Sequence, residues 1–322
     1  MRVVVALGGN ALLRRGDRPD AAVQLTNVQA AVAALAPLAR QHELVITHGN
    51  GPQVGLLALE NAADTSLTRP YPFDVLGAET QGMIGYWLLQ SLQNALPGRQ
   101  VCALLNQTLV SAADPAFHDP TKFVGPVYTR EEAERLAAES HWTVKQDGPH
   151  WRRVVPSPDP QRVVETRLIR LLLTSGAVAV CAGGGGVPVV RDEHGRLTGV
   201  EAVVDKDLTA ALLAEALDAD ALLLLTDVPQ VMRGYGTPQA QPIGRTTPAR
   251  LRAEHLPAGS MGPKAEAACR FVELTGGLAA IGALGDAQAI LDGIAGTVVT
   301  PSGHHPQGQA LTGPRHDDTL EI

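Results

Sequence analysis

The sequence has few cysteines, no excess of positive charge and no long uninterrupted apolar run. Its three cysteines, Cys102, Cys181 and Cys269, are widely spaced in apolar surroundings, which is typical of buried side chains and predicts neither disulfides nor a cysteine metal site. The net charge of −7 opposes binding to nucleic acid or to an anionic membrane surface. Uncharged stretches such as residues 176–190 are shorter than the roughly 20 apolar residues that span a bilayer, so we expect no membrane span and a cytoplasmic protein.

Several nucleotide-binding motifs are also missing. No Gly-Lys dipeptide occurs anywhere in the chain, which excludes the P-loop, and neither the His-Arg-Asp nor the Asp-Phe-Gly element of protein kinases is present. The four glycines of residues 183–186 are followed by Val187 and Pro188, so the third glycine of a dinucleotide fingerprint is absent. NAD binding is therefore disfavoured.

The remaining composition predicts a globular α/β protein. Hydrophobic residues make up 45% of the 322 residues and charged ones 18%, enough for a large core in two domains or in one large α/β domain with an insertion. Apolar strands alternate with helical segments, which indicates a mainly parallel sheet covered on both faces. Strands are predicted at residues 2–7, 43–47, 101–105, 177–181, 221–225, 278–281 and 297–299, and helices at residues 20–40, 74–95 and 162–175.

Two segments depart from this alternation. Residues 112–160 contain seven prolines and have weaker apolar periodicity, and we interpret them as an inserted small lobe. Residues 301–322 are rich in glycine, histidine and proline without apolar periodicity, which predicts a disordered tail. Residues 192–196 are predicted to turn between two short strands.

Polar or glycine-rich loops follow four of the predicted strands. Glycine after a parallel strand lets backbone N–H groups approach an anion that the next helix also favours, although a tight turn needs glycine for steric reasons alone. Parallel strands end at the same edge of a sheet, so the four loops together favour a phosphate site. They are Gly8-Gly9-Asn10, Gly49-Asn50-Gly51, residues 183–186 and Thr226-Asp227.

The scarcity of lysine draws attention to the few that are present. Lys206 lies between Asp205 and Asp207 at a predicted helix start, where a buried site and a surface ion triplet are both possible. Lys264 also begins a helix, an unfavourable place for a cation unless an anion binds there. Lys122 lies in the predicted lobe, where it either reaches the sheet edge or is solvated. Only four of the 26 basic residues are lysines: Lys122, Lys145, Lys206 and Lys264.

At these residues the chain resembles the carbamate kinases, a group within the amino acid kinase superfamily. The shared motifs are spread over about residues 2–300 and leave only the tail outside. They are Ala6-Leu7-Gly8-Gly9-Asn10-Ala11-Leu12, Thr47-His48-Gly49-Asn50-Gly51-Pro52-Gln53-Val54-Gly55, Thr80-Gln81-Gly82-Met83-Ile84-Gly85-Tyr86, Trp151-Arg152-Arg153-Val154-Val155-Pro156-Ser157-Pro158, Val204-Asp205-Lys206-Asp207, Leu225-Thr226-Asp227-Val228 and Gly259-Ser260-Met261-Gly262-Pro263-Lys264.

The resemblance implies a three-layer α/β/α sandwich in residues 1–300, with a carbamate-binding N-terminal half, a nucleotide-binding C-terminal half and the inserted lobe. It implies reversible phosphoryl transfer between ATP and carbamate, run mostly towards ATP synthesis in arginine fermentation. The implied catalytic residues are Lys122, Lys206, Asp207 and Lys264. The implied substrate-binding residues are Gly8, Gly9, Asn10, Gly49, Asn50 and Gly51, and the implied nucleotide-binding residues are Gly184, Gly185, Thr226, Asp227, Val228, Tyr235, Met261 and Gly262.

The resemblance also implies that ATP or ADP acts together with Mg²⁺, to which we assign no protein ligand. It further implies a small-molecule substrate and a homodimer. Two departures concern the source of positive charge. Ala6 stands where the acetylglutamate kinases carry a lysine, so the lobe with Lys122 supplies a cation instead. Phe123 stands where the family has proline, and we expect a looser lobe loop. Another acyl-phosphate-forming member of the fold, or a catalytically silent nucleotide or carbamoyl phosphate sensor, remain the alternatives.

Overall fold

The computed structural model describes residues 1–14, 16–140, 142–257 and 261–302, and for Asn10 the backbone alone. The predicted disordered tail lies outside the described residues except for residues 301 and 302. The described strands are β1 Arg2–Leu7, β2 Glu43–His48, β3 Val101–Ala103, β4 Gln107–Val110, β5 Lys122–Tyr128, β6 Thr143–Asp147, β7 His150–Val155, β8 Pro160–Val163, β9 Val178–Val180, β10 Val187–Arg191, β11 Leu197–Gly199, β12 Ala221–Thr226, β13 Val231–Arg233, β14 Gln241–Ile243, β15 Arg245–Thr246, β16 Leu278–Ala283 and β17 Thr297–Val299.

Helices alternate with these strands along most of the chain. Short 3-10 turns occur at Gly9–Ala11, Pro115–Phe117, Gly183–Gly185 and Leu284–Asp286. The described α-helices are α1 Ala21–Gln41, α2 Gly51–Ala63, α3 Phe73–Ala95, α4 Arg130–Ser140, α5 Thr166–Thr174, α6 Lys206–Ala216, α7 Pro248–Arg252, α8 Met261–Thr275 and α9 Ala287–Leu291.

The main sheet has eight strands in the order β15-β17-β16-β12-β1-β2-β9-β3. All neighbouring pairs are parallel except β16 and β17, which are antiparallel. Because the central strand β1 is buried on both faces, it consists wholly of residues with little or no exposure, and this explains its continuous apolar sequence. The predicted mainly parallel sheet is confirmed.

Two apolar clusters, one on each face of this sheet, make the molecule a three-layer sandwich. Side chains alternate between the faces of a strand, so Val3, Val5 and Leu7 of β1 join the cluster with α1, α3 and α9. Val4 and Ala6 join the cluster with α5, α6 and α8. Complete burial of a valine or leucine stabilises the fold by roughly 1.5–3 kcal/mol. The α/β/α layering that the resemblance implied is confirmed.

Helix α1 is long and apolar enough to cross a membrane by length and composition alone. Its uncharged part, residues 21–39, is longer than the stretch of residues 176–190 considered above. One side of the helix, including Val28, Val32 and Leu35, packs into the core of the main sheet, and buried helices of this kind satisfy the same criterion.

Two smaller sheets lie beside the main one. Strands β11, β10, β4 and β8 form a four-stranded sheet, and the antiparallel pairing of β10 with β11 confirms the predicted turn at residues 192–196. The helix predicted at residues 162–175 begins only at Thr166, because Pro160–Val163 forms β8 and pairs with β4. The predicted strand at residues 101–105 is shorter and ends at Ala103.

Strands β5, β7 and β6 form a separate antiparallel sheet, which together with α4 we call the lobe. These elements fall within residues 112–160, the segment interpreted as an insertion. The lobe contacts the rest of the described molecule, which we call the main body, through a small apolar cluster. In this cluster Val124 and Val155 of the lobe meet Val54 of α2 and Phe73 and Leu76 of α3. This contact holds the first residue of β5, Lys122, above the edge of the main sheet.

Candidate active site

One cavity of about 570 Å³ lies at the carboxyl ends of the parallel strands. The loops after β1, β2 and β9 contribute Gly8, Asn50 and Gly184 to its wall, and Thr226 is the last residue of β12. These strands are adjacent in the order β12-β1-β2-β9, so their ends meet at one sheet edge. The loops that were predicted to bind a ligand therefore line one cavity. The lobe forms another side of it.

Close backbone approach explains two of the glycines in this wall. A side chain at Gly8 would place its Cβ 3.1 Å from the Leu225 carbonyl oxygen, and one at Gly49 would lie 2.9 Å from the nitrogen of Gly9. The N–H groups of Gly8 and Gly49 already donate to Leu225 and Leu7. Their contribution is therefore the space that they leave open, since their own N–H groups are not available for a phosphate.

A buried carboxylate joins two of the lysines. Asp207 lies in the first turn of α6 and is 4% exposed. It pairs with the neighbouring Lys206 and, at 3.2 Å from Oδ2 to Nζ, with Lys264. Burial alone would raise the pKa of Asp207, but the two ammonium groups outweigh it and lower the pKa to about 2. The carboxylate is therefore ionised at neutral pH and fixes both lysines at the cavity wall.

The two lysines of this cluster differ in their surroundings. Burial lowers the pKa of Lys206, and the charge of Lys264 acts in the same direction, whereas Asp207 opposes both. Lys264 lies in the first turn of α8, where the helix dipole disfavours a cation. In the described part of the chain this misfit is relieved by Asp207, so it does not by itself require a bound anion.

Asp205 connects the lobe with helix α6. As the N-cap residue of α6 it accepts hydrogen bonds at Oδ1 from the N–H groups of Asp207 and Leu208, at 2.9 and 3.2 Å. Its Oδ2 accepts from Lys122 Nζ at 2.6 Å. Burial lowers the pKa of Lys122, but pairing with Asp205 and the nearby charge of Asp207 raise it overall. The lobe lysine is thus held at the same sheet edge as the other two.

Phe123, the residue that replaces the proline of the family, takes part in the attachment of this strand. The guanidinium of Arg152 lies 5.6 Å from the centre of the Phe123 ring, and its Nη2 donates to the carbonyl oxygen of Gly125 at 2.9 Å. Its Nη1 donates to Asp147 at 3.1 Å. Arg152 therefore ties β5 to β6 and packs against the residue next to Lys122.

His48 does not line the cavity but is buried next to Gly49, which does. Its side chain is fully buried, and its Nδ1 is 3.1 Å from the carbonyl oxygen of Gly49. A side chain at Gly183 would place its Cβ 2.3 Å from Nε2. Burial, aided by the charge of Lys206, lowers the pKa of His48 to about 4 despite the hydrogen bond to Gly49. The ring is therefore neutral at physiological pH.

The cavity brings together most of the residues that the sequence selected, although they come from distant parts of the chain. Gly185 and Gly262 do not line it: Gly185 accepts hydrogen bonds from Thr108 and Thr209, and the N–H of Gly262 donates to Pro257. The side chain of Asn10 lies outside the described residues. Lining residues among the predicted set are Gly8, Gly9, Gly49, Asn50, Gly51, Lys122, Gly184, Lys206, Asp207, Thr226, Asp227, Val228, Tyr235, Met261 and Lys264.

The glycine loop of residues 183–186 lies at the end of β9, which two strands, β1 and β2, separate from β12. A Cβ at Gly184 would approach Asn50, and one at Gly183 would approach His48. The structure therefore places Gly184 beside the loop after β2, whereas Val228, Tyr235 and Met261 lie on the side of β12 and α8.

Two side chains organise the site in ways that the sequence did not indicate: Asp205, considered only as a neighbour of Lys206, and Thr80, which had no role. Asp205 flanks Lys206, but only the fold shows that it pairs with Lys122. Thr80 belongs to a shared motif of α3, and its Oγ1 accepts a hydrogen bond from Asn50 at 2.8 Å. Among the described residues, no group of three or more His, Cys, Asp or Glu side chains is arranged to hold a metal ion.

Residues 1–281 match the model of the amino acid kinase family. A carbamate kinase from Rhizobium meliloti is 53% identical over 305 residues, which cover 94% of this chain and 94% of that protein. A carbamate kinase from Escherichia coli is 50% identical over 298 residues, covering 92% of this chain and 99% of that protein.

Solved structures agree with the sequence relatives. Carbamate kinase from Giardia lamblia bound to citric acid superposes with a TM-score of 0.87 at 37% identity, covering 94% of this chain and 98% of that one. The same enzyme bound to AMP-PNP, an ATP analogue, gives a TM-score of 0.85 over the same shares. The chain therefore belongs to the amino acid kinase family and, within it, to the carbamate kinases.

Proposed function

We propose that this protein is a carbamate kinase, which transfers a phosphoryl group reversibly between ATP and carbamate and gives ADP and carbamoyl phosphate. The observation that carries the proposal is the meeting of three of the four lysines at one sheet edge. Lys122, Lys206 and Lys264 come from three separate segments and converge on two neighbouring carboxylates in a cavity. About half of the residues are identical to those of carbamate kinases along most of the chain.

This arrangement suits phosphoryl transfer because the reaction needs positive charge and alignment more than a protein nucleophile. A carbamate oxygen attacks the γ-phosphorus of ATP as the bond to the β-γ bridging oxygen breaks, and charge spreads over the three equatorial oxygens. Lys206 and Lys264, fixed by Asp207, provide preorganised donors for those oxygens. Lys122 provides a third donor from the side of the lobe.

We assign the two substrates to two adjoining parts of the cavity. We assign carbamate to the end formed by the loops after β1 and β2, with Gly8, Gly9, Asn10, Gly49, Asn50 and Gly51. We assign the nucleotide to the part on the side of β12 and α8, beside Thr226, Asp227, Val228, Tyr235 and Met261. The nucleotide assignment is supported by the Giardia lamblia carbamate kinase that binds AMP-PNP. In cells we infer that the reaction runs mostly towards ATP, as the carbamate kinase resemblance implies.

The carboxylates of the cavity limit how Mg²⁺ can be held. Asp205 and Asp207 are already paired with lysines, and Asp227 accepts a hydrogen bond from the Thr226 hydroxyl at 3.1 Å. We therefore infer that Mg²⁺ is bound chiefly by phosphate oxygens of the nucleotide, as is common for this ion. When bound, it neutralises phosphate charge, and the residues of this chain position the phosphoryl group around it.

We also infer that the protein is a cytoplasmic homodimer. Four large apolar side chains are strongly exposed on α3, on α5 and just after β3: Tyr86, Leu105, Leu168 and Leu171. The short strand β3 is the outer strand of the main sheet among the described residues, and α3 and α5 contact the strands at this edge. Exposed apolar groups of this kind are typical of an interface between subunits. Sedimentation of the purified protein tests this inference.

The function is tested by ATP formation from ADP with Mg²⁺ and three alternative donors: carbamoyl phosphate, acetyl phosphate and N-acetylglutamyl phosphate. Rapid turnover with carbamoyl phosphate alone is the expected result. Preference for another acyl phosphate would assign the chain to a different specificity within the fold. No turnover in a protein that is stabilised by ADP against thermal unfolding would indicate a nucleotide sensor instead of an enzyme.

A further inference from the structure

Thr80 is a fully buried polar residue on α3 that contacts the cavity wall through Asn50. Residues 80–86 form one of the motifs shared with the carbamate kinases, yet the lysine and glycine sites described above give Thr80 no part in the reaction. Its Oγ1 lies 2.7 Å from the carbonyl oxygen of Gly77 and 2.8 Å from Nδ2 of Asn50. These two contacts determine which way the Asn50 amide is oriented.

The threonine hydroxyl has a single proton to donate. It donates that proton to the carbonyl oxygen of Gly77, one helical turn before it. Towards Asn50 the oxygen of Thr80 can therefore only accept, so the NH₂ group of Asn50 must be the group that faces it. The amide oxygen, Oδ1, is consequently directed away from Thr80, and no other described side chain donates to it.

Gly184 restricts the same amide from a second direction. A Cβ at Gly184 would lie between 2.3 and 2.8 Å from Nδ2, Cγ and Oδ1 of Asn50. The amide therefore fills the space that a side chain at Gly184 would need, and it packs between the glycine loop and Thr80. Asn50 and Gly184 both line the cavity, at the end that we assign to carbamate.

We propose that Thr80 is a positioning residue for substrate selection: it orients Asn50 so that Oδ1 accepts a hydrogen bond from the amino group of carbamate or carbamoyl phosphate. This inference rests on the proposed function. Carbamoyl phosphate and acetyl phosphate have nearly the same shape but carry NH₂ and CH₃, respectively, on the carbonyl carbon. An acceptor facing a methyl group loses its hydrogen bond on closure of the site, which disfavours the acetyl compound.

The test compares kcat/KM for ATP formation from carbamoyl phosphate and from acetyl phosphate. Thr80→Val removes the hydroxyl with little change of shape and frees the Asn50 amide to rotate. We expect the preference for carbamoyl phosphate to fall by about tenfold or more, the scale of one lost hydrogen bond, through slower use of carbamoyl phosphate. Thr80→Ser keeps the hydroxyl and should retain the preference.

Thr174→Val is the matched control. The Thr174 hydroxyl also donates to a carbonyl of its own helix, that of Arg170 in α5, but Thr174 is exposed and does not line the cavity. It should leave both rates unchanged. An equal loss of activity towards both donors in Thr80→Val, or an unchanged preference, would overturn the role of Thr80 while leaving the proposed function intact.

A second variant keeps the inference testable if Thr80→Val does not fold. Asn50→Asp gives residue 50 two acceptor oxygens, so an acceptor faces the substrate whichever way the side chain is turned. The new negative charge repels both acyl phosphates, so kcat/KM should decrease for both donors while the preference for carbamoyl phosphate remains. Loss of the preference in Asn50→Asp would contradict the inference. Failure of the unaltered protein to form ATP from carbamoyl phosphate would overturn both this inference and the proposed function.

Discussion

The main body and the lobe are built on different principles. Strand β1 of the main sheet is buried at every residue and is covered by apolar clusters on both faces. Helix α4 of the lobe buries only Ala133 among its 11 residues. The main body therefore derives its rigidity from close packing, and the lobe relies on a few specific contacts to keep its place.

Besides the small apolar cluster described above, three further contacts hold the lobe in place. The backbones of α2 and β5 approach so closely that a Cβ at Gly55 would lie 2.6 Å from Cα of Gly125. The Arg153 guanidinium lies 4.7 Å from the centre of the Phe73 ring on the main body and 4.6 Å from that of Trp142 on the lobe. The ion pair between Lys122 and Asp205 is the third. Lys206 and Lys264 thus belong to the rigid main body, whereas the position of Lys122 at the cavity depends on where the lobe lies.

The largest effect is expected from loss of a main-body lysine. Lys264→Ala should lower kcat by roughly 10²-fold or more, because a preorganised donor to the transferring phosphoryl group is lost. Steady-state kinetics and a thermal melt measure the effect and check the fold. Lys145→Ala is the control, since Lys145 pairs with the exposed Asp119 in the lobe and lies outside the cavity. A decrease in kcat of less than about threefold would refute the role of Lys264.

A second prediction concerns the main body and acid. Because the pKa of His48 is lowered from 6.5 to about 4, the unfolded chain binds a proton between these pH values that the folded chain does not. The free energy of unfolding should therefore decrease as the pH falls from 6.5 to 4, by about 3 kcal/mol for this group. Denaturant titrations at several pH values measure it.

His48→Gln is the comparison for this prediction. The variant loses the titrating ring, so its free energy of unfolding should change with pH by about 3 kcal/mol less than that of the unaltered protein over the same interval. The same pH dependence in both proteins would show that His48 is not the group responsible. Lys145→Ala should retain the full dependence.

The lobe lysine should show an intermediate effect that is separable from folding. Lys122→Ala is expected to lower kcat by at least about tenfold while the Kd for ADP changes little, because the lobe acts on the transferred group. The melting temperature should also change little, since the Lys122 side chain is 39% exposed and such pairs contribute little stability. Equal losses of turnover and of ADP affinity would instead indicate a folding defect.

The smallest effect is expected from the residue that connects the two regions. Asp205→Asn should retain the N-cap of α6, because asparagine caps well, but it weakens the attraction on Lys122. We expect kcat to fall by roughly threefold to tenfold without loss of stability. Asp205→Ala should in addition cost about 1 kcal/mol of stability through loss of the cap. A normal kcat in Asp205→Asn would show that Lys122 reaches its place without this pair.

The accuracy of the sequence prediction differs between long buried strands and short ones. Strands β1, β2 and β12 were recognised because burial on both faces requires a continuous apolar run. The short hairpin of β13 and β14 was missed, and β8 was mistaken for the start of α5, since strands of three or four residues have no clear period. Composition alone also does not distinguish the buried helix α1 from a spanning one.

The sequence by itself determined the alternation of strands and helices, the glycine loops and the shortage of lysine that marked Lys122, Lys206 and Lys264. The alternation and the loops depend on interactions between residues only a few positions apart, and the shortage of lysine is read directly from the composition. Only the tertiary structure decided that Lys264 pairs with Asp207 across 57 residues and that Lys122 pairs with Asp205 across 83. It also decided that Thr80 orients Asn50. Such partners meet through the packing of whole elements, which no local periodicity or capping rule encodes.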